Sequence, residues 1–111
     1  MKLQTLSWLL LSASVVCEVL GTVALKHSTG FTKLLPAAAA ALFYLLAVWL
    51  MAIAMKHLEM GVTYAVWAAS GTAITAVVGI LVYGEGASPA KLAGLALVVG
   101  GVVLLSAVGK A

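Results

Sequence analysis

The sequence predicts an all-α membrane protein with four transmembrane helices per chain. Three observations carry this. Of 111 residues, 65% are apolar and only 8% charged, whereas a soluble domain carries about 25% charge. The apolar residues gather in four runs, 6–25, 34–55, 61–83 and 90–108, each near the ~20 residues that cross hydrocarbon as a helix. The runs consume most of the chain, so residues 1–111 read as a single transmembrane domain, and any chemistry must happen within the bilayer or at its faces.

The first run, Leu6–Leu25, holds Glu18, the one acidic residue inside any of the runs. At the helical rise, Glu18 lies ~15 Å from Trp8 and ~12 Å from Lys26, near the bilayer centre. Inserting a carboxylate there costs ~2.5 kcal/mol or more. An acid retained at that cost points to use, because no basic residue lies at similar depth to neutralise it. On a helix its face is shared by Leu11, Ser14, Gly21, Thr22 and Leu25. Those neighbours are mostly small and weakly polar, suited to a cavity or a close helix approach, and Ser14 and Thr22 are within reach to hydrogen-bond the carboxyl. The run is not read as a cleaved signal peptide, because Glu18 and Lys26 follow the apolar stretch and three more spans come after. Cys17 is the sole cysteine; it reads as a small buried apolar residue, with neither an intrachain disulfide nor metal-ligand spacing.

The second run, Leu34–Met55, contributes Tyr44 and Trp49. The third, Gly61–Tyr83, opens Gly61-Val62-Thr63-Tyr64-Ala65-Val66-Trp67. Tyr64 and Trp67 are three apart and share a face. Two readings stand for them: an interfacial aromatic belt, or a wall that attracts a desolvated cation. Deeper in the same run, Gly71, Thr75 and Gly79 recur every four residues. That ridge predicts close helix packing, and Gly71 predicts a bend. In the fourth run, Ala90–Val108, Gly94 and Gly101 lie on one stripe as a helix–helix contact, and Pro89 stands where proline starts a helix. Glu59 and Glu85 read as solvated loop charges.

The net charge of +3 comes without any arginine or basic patch, so nucleic acid is not a partner. Four spans put Lys2, Lys56 and Lys110 on one side and Lys26, Lys33 and Lys91 on the other. Orientation is normally set by a lysine and arginine excess in cytoplasmic loops, and here there is none. Chance in a small sample is one reading; insertion both ways round is the other. Two opposed copies would form an antiparallel, dual-topology homodimer of eight helices. Such a dimer supplies between chains the inverted symmetry that many transporters build within one, and it brings two Glu18 carboxyls to one site.

Several segments together resemble the small multidrug resistance transporters: Glu18-Val19-Leu20-Gly21-Thr22, Leu25-Lys26, Gly30-Phe31-Thr32-Lys33-Leu34-Leu35-Pro36, and Gly61 to Trp67. The resemblance covers all four spans. It implies a proton-coupled exporter of the bacterial inner membrane working as an antiparallel homodimer, with protons as the coupling ion and no other cofactor. It implies that Glu18 binds both proton and substrate, and that Tyr64 and Trp67 face the substrate. Thr22, Ser14, Tyr44 and Trp49 line or border the pocket, and Gly94, Gly101 and Val102 make the dimer contact. The guanidinium-exporting branch of that family resembles this chain but has tryptophan three residues after the glutamate. Gly21 stands there instead, which is similar to the multidrug branch handling quaternary ammonium cations. Glu59 replaces a frequent proline and Ala69 a frequent glycine; both bear on how the third helix bends.

The mechanism expected is competition. Loss of water disfavours the charged carboxylate, a proton neutralises it, and a cation favours it ionised; two copies would titrate as a coupled pair. The alternatives are a guanidinium exporter of the same family and one subunit of a paired polyamine or lipid exporter. A rotor proteolipid of a proton-driven ATPase also carries one membrane carboxylate, but gives the Tyr64 and Trp67 face no role. A purely structural membrane protein leaves Glu18 unexplained.

Overall fold

The computed structural model describes residues 3–108, which form four α-helices: α1 (Leu3–His27), α2 (Leu34–Ala54), α3 (Met60–Tyr83) and α4 (Pro89–Val108). No strand occurs among the described residues. All four helices are long and apolar enough to cross a membrane, so the chain is an all-α, four-span membrane protein. Lys2 and Lys110, two of the six charges in the orientation argument, lie outside the described residues.

Helix bounds and apolar runs differ at their ends for a physical reason. α1 begins at Leu3 and continues through Lys26 and His27, because the backbone ladder extends past the hydrocarbon into the interface, where polar side chains reach water. α2 carries Pro36 in its first turn, where a missing N–H breaks no intrahelical bond. α4 starts on Pro89, and the Ser88 hydroxyl accepts from the Lys91 N–H at 3.2 Å, a serine cap followed by a first-turn proline.

The connections are short and determined. Between α1 and α2, Thr29, Gly30 and Phe31 all take positive φ (49°, 69° and 66°). The buried Ser28 holds this left-handed hook, donating to the Leu25 carbonyl at 2.7 Å and accepting from the Phe31 N–H at 3.1 Å. After α3, Gly84 reverses the chain at φ 67°, and the Glu85 N–H returns to the Gly79 carbonyl at 3.0 Å.

α1 packs most extensively against α2, α4 packs against α3 alone, and α2 barely meets α3. The fold is therefore two helical hairpins joined mainly where α1 meets α3. The hydrogen bond between His27 and the Tyr83 hydroxyl (2.7 Å) puts the C-terminal ends of α1 and α3 side by side. The core sits at the other end: Leu11, Met51, Ala54 and Leu58, with Trp8, Val66 and Trp67 packed on them. α4 buries none of its described residues. The half nearer loops 28–33 and 84–88 is left with open space between α1 and α3, and that space contains the site.

Leu11 is 1% exposed and central to the core. Leu11→Ala is expected to lower stability by about 2 kcal/mol or more, read as an earlier unfolding midpoint in mixed micelles, whereas Leu97→Ala, on the open face of α4 (77% exposed), should leave the midpoint of the isolated chain near wild type.

Candidate functional site

The site forms where a glycine lets α1 approach α3. Gly71 is buried, and a Cβ placed on it would collide with Glu18 Oε1. The carboxyl of Glu18 thus lies directly on the α3 backbone, in space that only a residue without a side chain leaves. Oε1 is shielded from solvent and has no hydrogen-bond partner. A carboxylate oxygen in that state has lost water without receiving a donor in exchange, which is costly unless a proton or a counter-charge arrives.

A cavity of about 410 Å³ runs from this carboxyl along the α1–α3 seam, lined by Glu18, Thr22, Gly71, Thr75 and, at its far end, Glu85 and Lys91. A second of about 170 Å³ shares Thr22, Thr75 and Glu85 and continues to Lys26 and Tyr83. The larger volume is in the range of small-ligand sites.

Thr22 and Tyr44 form one polar unit beside the acid. The Thr22 hydroxyl donates to the Glu18 carbonyl at 2.9 Å. A hydroxyl has a single proton, so in the 2.7 Å contact between Thr22 and Tyr44 the tyrosine donates. Tyr44 reaches this place because Gly21 is small: a Cβ at Gly21 would stand 3.1 Å from the Tyr44 ring and 3.2 Å from Phe43 Cβ. The ring of α2 occupies the space that a larger residue at position 21 would fill.

The structure brings Glu18, Thr22 and Gly71 together and ties Tyr44 to them. It corrects the expectation that Ser14 and Thr22 hydrogen-bond the carboxyl. Ser14 is fully buried and donates to the Ala47 carbonyl at 2.6 Å, so its hydroxyl joins α1 to α2. Thr22 is committed to a backbone carbonyl. Tyr64 and Trp67 do share a face, with rings 5.7 Å apart and tilted by 46°, but neither lines the Glu18 cavity within one chain. Trp67 packs on the core with its indole N–H buried and unpaired; Tyr64 is 55% exposed. Trp49 lies on the exposed side of α2. Gly94 and Gly101 face open space, whereas Val102 lines a gap against Ala69 and Ser70 of α3.

The small-residue ridge also has a different use from the one expected. Gly71 and Gly79 each admit a carboxylate, Glu18 and Glu85 respectively, in place of a second helix backbone. α3 is continuous through Gly71, so the glycine provides room for an acid. Sequence reasoning missed the end cluster in which Lys26 lies 5.0 Å from the Tyr83 ring centre and His27 bonds the Tyr83 hydroxyl. It also missed the return of Glu85 onto α3. Gly84 after an apolar run, the usual left-handed helix stop, was the available signal for the latter.

The family model described as Small Multidrug Resistance protein matches residues 6–98. The chain belongs to the small multidrug resistance family. It is similar to the quaternary ammonium compound-resistance protein QacE of Escherichia coli, 38% identical over 94% of each chain. It is likewise similar to the guanidinium exporter of Escherichia coli K12, 39% identical over 88% of this chain and 93% of the relative, and to the uncharacterized membrane protein YvaE of Bacillus subtilis, 36% identical over 91% and 85%. Membership makes it a multi-pass transporter of the bacterial inner membrane.

Because the carboxyl occupies the space above Gly71, Gly71→Val must displace it. This variant is expected to keep its helical circular dichroism while raising the reactivity of Glu18 toward a water-soluble carbodiimide several-fold, measured by mass spectrometry of the purified protein.

Proposed function

We propose that this small multidrug resistance protein is a proton-coupled antiporter exporting lipophilic and quaternary ammonium cations, with proton and substrate competing for Glu18. The observation that carries the reading is the Glu18 carboxylate oxygen, shielded and without a hydrogen bond, at the end of an open cavity. An ionised acid in low dielectric needs a cation near it, and a neutral acid needs none. Occupation by one ligand therefore excludes the other. If the site opens to one side at a time, inward proton flow drives cations outward, with ~1.4 kcal/mol available per proton for each pH unit of gradient. Tyr44 and Thr22 supply polar lining. Tyr64 and Trp67 supply the aromatic faces that a cation favours, and they reach it from the second copy or on closure of the bundle.

The working unit in this reading is the antiparallel homodimer. α4 contacts only α3 and exposes Gly94 and Gly101, which leaves a face where a second α4 can approach closely. The lysine balance permits both insertions, and two opposed copies place their Glu18 residues at one central site. Val102, next to Gly101 but facing α3, sets the packing behind that contact.

Guanidinium export is the second reading, since a guanidinium exporter is as similar to the chain as QacE. The Tyr44 ring packed over Gly21 favours the first. A tryptophan there would force Tyr44 away and narrow the space beside Glu18, which suits a small planar cation better than a bulky one.

Three outcomes are expected. Glu18→Gln should abolish proton-driven export from proteoliposomes, and export persisting in that variant would refute the mechanism. Cation affinity of the wild type should fall as pH falls, because protons displace the cation, approaching about tenfold per pH unit for each competing proton in the protonated range. Gly21→Trp should lower uptake of bulky quaternary ammonium relative to guanidinium in the same vesicles.

A further inference from the structure

A carboxylate outside the Glu18 position occupies the same cavity. Gly84 turns the chain back at the end of α3, and the Glu85 N–H is fixed to the Gly79 carbonyl at 3.0 Å. The side chain then lies across Gly79, where a Cβ would meet its Oε1. From there Glu85 lines both cavities of the α1–α3 seam, the larger of which ends at Glu18. Although exposed, its carboxylate has no hydrogen bond or ion pair among the described residues. The two nearby lysines are engaged elsewhere: Lys26 lies over the Tyr83 ring, and Lys91 donates to the Gly86 carbonyl at 2.7 Å. The carboxylate also follows the C-terminal end of α3, where the helix carbonyls add partial negative charge. A cation arriving there is favoured by the acid and by the helix end alike.

We propose that Glu85, laid across Gly79, is a second cation-binding position at the far end of the Glu18 cavity, and that the two carboxylates together hold an elongated dication. The spacing sets the ligand. Gly71 and Gly79 are ~12 Å apart along α3 by the helical rise, so the two acids seated on them match two ammonium groups joined by a long, flexible apolar linker. The threonine hydroxyls of Thr22 and Thr75 and the apolar wall at Val78 lie between. In an antiparallel dimer each membrane face would carry one such outer acid. The inference rests on the reading of Glu18 as the inner cation site and adds a residue that decides which substrates gain from their length.

The test compares three probes on the full-length protein in lipid nanodiscs: tetramethylammonium, and bis-trimethylammonium alkanes with four-carbon and ten-carbon linkers. Wild type is expected to bind the ten-carbon dication about tenfold more tightly than the monocation, as a tethered second contact allows, and the four-carbon dication without that gain. Glu85→Gln should remove the gain, so that the ten-carbon dication binds no more tightly than the monocation. Gly79→Leu, which displaces the same carboxylate, should do likewise. Equal affinity for the monocation and the ten-carbon dication in wild type overturns the proposal, as does a Glu85→Gln variant that keeps the gain or weakens all three probes in step. Monocation binding that is absent, or indifferent to Glu18→Gln, overturns instead the reading of Glu18 on which the proposal rests.

Discussion

The contact on which the rest of the structure depends is a carboxyl group resting on bare backbone. Glu18 projects from α1 onto Gly71 of α3 with one oxygen shielded and unpaired. Every other arrangement in the seam follows from making that contact possible. A glycine is needed beneath the acid, small residues around it, and a threonine beside it whose hydroxyl is occupied elsewhere. Had Ser14 or Thr22 donated to the carboxyl, the ionised form would be satisfied internally and the drive to recruit a proton or a cation would be weaker. Both hydroxyls go to backbone carbonyls instead. The unmet demand of the acid is thus a product of the packing around it.

That demand is maintained by an uneven bundle. The contact between α1 and α2 near Leu11, Met51, Ala54 and Leu58 is packed, whereas the α1–α3 seam is open, both near Thr22, Thr75 and Glu85 and near Val15, Ser70 and Ile74. In a membrane, helices associate through packing and hydrogen bonds, since lipid is as apolar as leucine. The packed contact and the Ser14 bond to Ala47 hold α1 and α2 as a unit, while the bond between His27 and Tyr83 ties α1 to α3 at their C-terminal ends. Open space between two fixed ends can be kept without loss of the fold.

Much of the fold was legible because a bilayer permits few solutions. Four apolar runs with short polar breaks can only be four helices when every backbone group must be bonded internally. That Glu18 lies inside a span, with no basic residue of the runs to neutralise it, was legible for the same reason. The details of the site were not. Periodicity says which residues share a face of one helix but carries no register between helices, so the Tyr44 donation to Thr22 and the diversion of Ser14 to Ala47 were hidden. Small residues announce a close approach without naming the visitor: Gly71 and Gly79 were read as helix contacts and turned out to seat acids. Glu85 was read as an ordinary loop charge because its position depends on the left-handed reversal at Gly84, a choice made by one dihedral angle.

The alternation along α3 has a consequence for movement between the two hairpins. Gly71, Thr75 and Gly79 succeed one another one turn apart, and the acid of α1 rests on the first of them. A slip of a single turn, ~5.4 Å along the seam, would carry that acid from a naked stretch of main chain to the Thr75 hydroxyl. The same side chain would then pass from a berth that starves it of donors to one that offers a proton to share, so the track itself grades how strongly the charge is held at each stop.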